Sequence, residues 1–259
     1  MLTMIPFILS GCDLQRNMLY YPGAAMPAPE VLAANNMTYW PSGPDSYRGF
    51  ISAPRGRPVR GTVIVFHGNA GTADERAFYA GALVPLGYRV ILSEYPGYGS
   101  RKGELGERSF VSDAKETVRL AAATYGGPVI LLGESLGCGI AAAVAGDASA
   151  KISRLVLITP WDSLLSVAQS KFRFLPVRLF MKDSYDNIGN LKGFRGRVAV
   201  VGAERDEILP VKHAQQLHNS LPADKKIWLI KGAGHNDWPY FVNALFWMEI
   251  MAFVGEGDA

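Results

Sequence analysis

The stretch that most constrains this chain is residues 129–145, VILLGESLGCGIAAAVA. Its first four residues are apolar and partly β-branched, as suits a strand buried on both faces. Gly133-Glu134-Ser135-Leu136-Gly137 follows and fits G-x-S-x-G, and an Ala-rich run of helical character comes next. Strand, tight turn with a serine, then helix is the setting in which this pattern marks a nucleophile elbow. Such a turn lifts the serine off the sheet end in a strained conformation. Side chains at the flanking glycines would strike the neighbouring strand and helix. The backbone N–H of Leu136, at a helix N-terminus, is expected to face a developing oxyanion.

The rest of the chain alternates in the same way. Strand-like runs occur at residues 62–66, 89–94, 154–158, 198–202 and 226–230. Helical spacing is read at 75–86, 108–125, 211–220 and 238–254. Residues 37–40 and 47–53 are expected to pair as an edge hairpin, and residues 13–44 otherwise read as an irregular lead-in with turns. Alternating strands and helices imply a mostly parallel, doubly wound sheet covered on both faces. Reactive groups in such sheets gather at the strand carboxyl ends. Ser135, the 67–71 and 95–99 loops, Asp206 and His235 all follow strand ends. With 49% hydrophobic and 19% charged residues, the chain is neither disordered nor membrane-spanning in composition. A net charge of +3 gives no reason to expect nucleic acid as a partner.

A serine nucleophile requires a base, and the base an acid that holds its tautomer. The four histidines are His67, His213, His218 and His235, and none has metal-ligand spacing. His67 reads as structuring a Gly-containing loop, and His213 and His218 as surface or packing residues on a helix. His235, in the loop after the last strand, is the expected base. Asp206, after the VAVVG strand, is the expected acid, in the chain order Ser, Asp, His. Glu204 and Glu207 in the same loop and Asp162 after the preceding strand compete for that role, and Asp206 also fits a helix-capping acid. Glu134 reads as a local packing residue. The second oxyanion donor is expected in the loop after TVIVF, with the Asn69 N–H first and Ala70 next.

The segments VIVFHGNAGT, EYPGYGSRKG, LLGESLGCGIA, VVGAERDEILP and IKGAGHND, in this order, resemble the α/β-hydrolase superfamily. They are most similar to its small-cap bacterial branch, akin to serine aminopeptidases and acyl-protein depalmitoylases, from about Leu19 to the C-terminus. The resemblance implies an α/β-hydrolase fold with a short cap insertion after the strand ending at Ile158. It implies Ser135 as nucleophile, Asp206 as acid, His235 as base, Asn69 and Leu136 as oxyanion donors, and no cofactor or metal. Cys138 stands where a glycine is common. Carboxylic-ester hydrolysis on a small or lipid-like substrate is the leading expectation. An acyl thioesterase, a peptidase and a non-catalytic binding member are the alternatives, and no acidic residue stands out to hold a peptide N-terminus.

Two segments bear on location. Residues 1–8 are short and mostly apolar, and Leu9-Ser10-Gly11-Cys12 resembles the lipobox of bacterial lipoproteins. No charged segment precedes the apolar run, so the true start is expected upstream of Met1. Residues 1–12 are thus expected to be a lipoprotein-type signal segment and 13–259 the hydrolase domain, tethered through a lipidated Cys12 at the cell envelope; the alternative is a buried apolar N-terminal segment with an incidental cysteine in a cytoplasmic protein. Residues 159–197 are the expected cap. Within them KFRFLPVRLFMK mixes aromatics with four basic residues. That stretch reads either as helix and loop packed over the site or as a basic, apolar surface meeting a membrane or an acyl chain.

Overall fold

The computed structural model describes residues 15–172 and 174–255. The expected signal segment and Cys12 lie outside them. The strands are β1 (Tyr21–Pro22), β2 (Thr38–Trp40), β3 (Gly49–Ser52), β4 (Gly61–Phe66) and β5 (Ala70–Gly71). They continue with β6 (Tyr88–Ser93), β7 (Val129–Glu134), β8 (Arg154–Ile158), β9 (Arg197–Ala203) and β10 (Asp224–Ile230). An eight-stranded sheet has the order β10-β9-β8-β7-β4-β6-β3-β2. Its strands from β10 to β6 pair in parallel, and β3 and β2 close the edge antiparallel, as the expected hairpin.

The period-2 alternation of side chains splits the apolar residues of each central strand between two cores. Ile64 and Phe66 face one core, whereas Val63 and Val65 face the other. Every residue of β4 and β8 is buried, which explains the apolar runs 63–66 and 155–158 within them. The chain begins the parallel part of the sheet at β4, steps one way to β6, then returns to place β7 on the other side of β4. The connections after β4 and β7 therefore leave in opposite directions and open a crevice between their carboxyl ends. The loops carrying His67–Gly71 and Ser135 border that crevice.

The helices are α1 (Pro29–Ala34), α2 (Ala77–Leu83), α3 (Glu107–Tyr125), α4 (Leu136–Ala145), α5 (Leu164–Lys171), α6 (Asn187–Leu191), α7 (Lys212–Ser220) and α8 (Ala244–Gly255). Three expectations need correction. The run 75–86 is a 3₁₀ turn at Ala73–Arg76 followed by α2, and it stops early because Pro85 has no N–H to continue the ladder. The run 238–254 breaks at Val242, which is extended. Asn243 then restarts a helix, its Oδ1 accepting from the N–H of Leu245 and Phe246 at 3.0 and 3.2 Å. The lead-in is also more ordered than its turn-rich composition suggests. It carries α1, with Pro29 in the first turn and Leu32 buried, and β1, which pairs in parallel with β5.

Candidate active site

The elbow forms as the sequence dictates. Ser135 follows β7 with φ 51° and ψ −112°, outside the ordinary regions for a non-glycine residue. Such strain costs of order 1–3 kcal/mol and persists only where the surroundings hold it. Here the Ser135 N–H donates to the Ile158 carbonyl at 2.9 Å, and its own carbonyl accepts from Cys138 N–H at 3.0 Å. A Cβ at Gly137 would lie 1.9 Å from the Phe66 carbonyl oxygen, and one at Gly133 2.5 Å from the Gly137 carbonyl oxygen. Both glycines are therefore fixed by close backbone approach. Cys138 fits the packed helix: its thiol lies 3.1 Å from the Gly133 carbonyl and 3.2 Å from that of Ile158. Burial pushes this thiol well above its ordinary pKa.

The fold brings the imidazole of His235 to this serine. Ser135 Oγ–H donates to His235 Nε2 at 3.0 Å, and His235 Nδ1–H donates to Asp206 Oδ2 at 2.7 Å. The other Asp206 oxygen accepts from the N–H of Ile208 and Leu209 at 3.0 and 2.6 Å. Asp206 therefore caps its own turn and also holds the imidazole. All three side chains are nearly enclosed, with Ser135 retaining 9% of its exposure.

The rival acids have other work. Glu204 accepts from Gly232 N–H at 2.8 Å, and Glu207 from His235 N–H at 3.4 Å, so both brace the histidine loop through its backbone. Asp162 is bound by a different histidine, His213, whose Nδ1 lies 2.8 Å from Asp162 Oδ1. This pair is fully buried, which corrects the surface alternative for His213. His218 does lie on the exposed face of α7. Glu134 accepts from Tyr79 Oη–H at 2.7 Å and Arg76 Nε–H at 3.3 Å, and so ties the elbow to α2 and the turn before it.

The loop after β4 passes beside the nucleophile: a Cβ at Gly68 would lie 3.8 Å from that of Ser135. His67 fixes this loop, one ring nitrogen 2.8 Å from the Gly68 carbonyl and the other 3.1 Å from the Glu94 carboxylate. Glu94 also accepts from the N–H of Ala73 at 3.0 Å. Asn69 is held from three sides. Its carbonyl accepts from Tyr21 N–H at 2.9 Å and Tyr98 Oη–H at 2.6 Å, and its side-chain amide donates to the Leu19 carbonyl at 2.9 Å. None of these bonds uses the Asn69 N–H. That of Leu136, the first residue of α4, has no place in the helical ladder. The brace from Leu19 and Tyr21 positions the loop beside Ser135 and was missed by sequence reasoning. Its signal was only the Leu-Tyr-Tyr cluster in a segment read as irregular.

A family model described as alpha/beta hydrolase fold matches residues 61–195, just over half of the chain. An uncharacterized protein of Mycobacterium tuberculosis is 30% identical over 230 residues, 86% of this chain and 81% of that protein. Lysophosphatidylserine lipase of Danio rerio is 27% identical over 184 residues, 64% of this chain and 48% of the lipase. The chain thus spans about half the length of that lipase. Among solved structures, an esterase of Pyrococcus furiosus superposes with a TM-score of 0.66 at 15% identity, covering 91% of this chain and 97% of the esterase. Est1E of Butyrivibrio proteoclasticus, solved with ferulic acid, gives 0.66 at 16% identity, covering 79% and 93%. At these identities the two structures establish the fold.

Proposed function

The chain belongs to the α/β-hydrolase fold family, and from that premise we propose that it is a serine hydrolase cleaving carboxylic esters through Ser135, His235 and Asp206. The observation that carries the reading is one imidazole spanning a hydroxyl and a carboxylate, at 3.0 and 2.7 Å. In the first step His235 takes the proton of Ser135 as Oγ attacks the ester carbonyl. The Asn69 and Leu136 N–H groups stabilise the oxyanion, each such donor contributing about 2.7–4 kcal/mol in the transition state. His235 then gives its proton to the departing alcohol, leaving an acyl-enzyme on Ser135. Water, deprotonated by the same imidazole, releases the acid. Asp206 keeps Nδ1 protonated and offsets the charge that builds on the ring.

Similarity to a lysophosphatidylserine lipase favours a lipid-like ester over a small soluble one. The same reading gives Cys12 the role of a lipid anchor at the cell envelope and residues 159–197 the role of a short cap. A fluorophosphonate probe is expected to label the protein, and the labelling to disappear in Ser135→Ala; equal labelling of both would end the proposal. A p-nitrophenyl ester series run beside acyl thioesters then separates esterase from thioesterase, with the higher kcat/KM expected on the esters. Partitioning of Cys12→Ala out of the membrane fraction tests the anchor.

A further inference from the structure

The segment 163–182 contains four basic residues and no acidic one. Val167 is buried and Leu164 packs against the core, but the large apolar side chains after α5 do not. Phe174 is 99% exposed and Leu179 77%, and Phe172, Leu175 and Phe180 are exposed as well. The local backbone explains this: after α5 the chain makes only one 3₁₀ turn, at Val177–Leu179, which buries no residue. Large apolar side chains gathered on a surface mark a place of contact with something apolar. Lys171, Arg178 and Lys182 are exposed around them.

The segment also ends where the described chain begins. Gln15 Oε1 accepts from the N–H of Lys182 at 2.6 Å and of Asp183 at 3.1 Å, and its amide donates to the Asp183 carbonyl at 2.8 Å. Tyr20 Oη–H donates to the Asp183 carboxylate at 2.7 Å, fixing the same junction. Gln15 lies three residues after Cys12 and shortly after the apolar run 1–8. Gln15 and Tyr20 are therefore bound, by these hydrogen bonds, to the foot of the apolar and basic segment.

We propose that Phe172, Phe174, Leu175, Leu179 and Phe180, with Lys171, Arg178 and Lys182, form a face that docks on an anionic lipid bilayer. The apolar side chains enter the region between headgroups and acyl chains, and the cations pair with lipid phosphates. No described helix is long and apolar enough to cross a membrane, so the contact is with its surface. The proposal does not depend on the reaction assigned above, because its readout is binding.

The test uses the full chain carrying Cys12→Ser, so that no lipid is attached, and flotation with vesicles of phosphatidylcholine alone or mixed with phosphatidylglycerol. Binding is expected to the mixed vesicles and to weaken with added salt. The exposed substitutions Phe174→Ser, Leu175→Ser, Leu179→Ser and Phe180→Ser together are expected to lower the bound fraction about tenfold. Both chains keep residues 1–8, so equal binding would assign the interaction to that run and overturn the proposal. Absence of binding to the mixed vesicles by the parent chain would also overturn it. So would a dimer, seen by sedimentation, that the four substitutions dissolve while vesicle binding is absent. An environment-sensitive dye on Phe174→Cys is expected to shift to the blue on mixed vesicles, and an unchanged spectrum would count against the face.

Discussion

Two buried His–Asp pairs stand at the carboxyl ends of adjacent strands, and only one of them meets a serine hydroxyl. His235 and Asp206 follow β10 and β9, and Asp162 follows β8 with His213 reaching it from α7. Their Nδ1 to oxygen distances are nearly equal, 2.7 and 2.8 Å. The difference lies at the other nitrogen. That of His235 faces Ser135 Oγ, whereas that of His213 is buried and has no hydrogen-bond partner among the described residues. The backbone around Asp162 also holds α6: its carbonyl accepts from Ile188 N–H at 3.2 Å, and the Trp161 carbonyl accepts from Asn187 Nδ2–H at 2.8 Å. In the proposed reading one pair orients chemistry, whereas the other fastens residues 159–197 to α7. A carboxylate next to an imidazole is therefore not by itself a site; a nucleophile and an opening make it one.

Substitutions can break this contrast. The largest effect is expected from His235→Ala, which should lower kcat on a p-nitrophenyl ester by about 10⁶-fold. Asp206→Asn should follow at about 10⁴-fold, because the wrong tautomer then faces Ser135. Urea denaturation of both should remain close to that of the parent chain. His213→Leu should do the reverse. Leaving the Asp162 carboxylate buried without its partner should cost about 2–5 kcal/mol of stability, with the rate per folded molecule little changed. A collapse in kcat for His213→Leu at unchanged stability would dissolve the distinction between the pairs.

The smallest effect concerns pH. Burial holds the Cys138 thiol well above its ordinary value of 9.0 and the Tyr79 phenol well above 10.0. The unfolded chain ionises first, so it binds fewer protons than the folded one at alkaline pH. Stability from these groups is therefore full below about pH 9 and declines above it, which urea midpoints between pH 8 and 10.5 would register. Iodoacetamide at pH 9 should leave Cys138 unmodified until the chain unfolds.

Much of the architecture was legible in the residues. Apolar runs gave the central strands, because burial on both faces leaves no room for polar side chains. The elbow was legible because its glycines keep a fixed spacing around the serine, although the clash that fixes Gly137 is with Phe66 of the neighbouring strand. Helix ends were read less well: Pro85 and Asn243 carry short-range signals that the longer apolar periodicity obscured. The lead-in was misread because its order comes from pairing β1 with β5, and composition does not report pairing.

The sequence alone determined the strands, the strained turn at Ser135 and the set of histidines and acids at strand ends, since these follow from local sterics and hydrophobic period. Which histidine meets which acid was decided only by the tertiary structure. Ser135 and His235 are 100 residues apart and join through the parallel register of β7, β8, β9 and β10. That register is fixed by the packing of two whole cores, so no local stretch of residues encodes it. The same holds for the exposure of Phe174 and Leu179, which are as apolar as any core side chain and lie outside because none of the described elements packs against them.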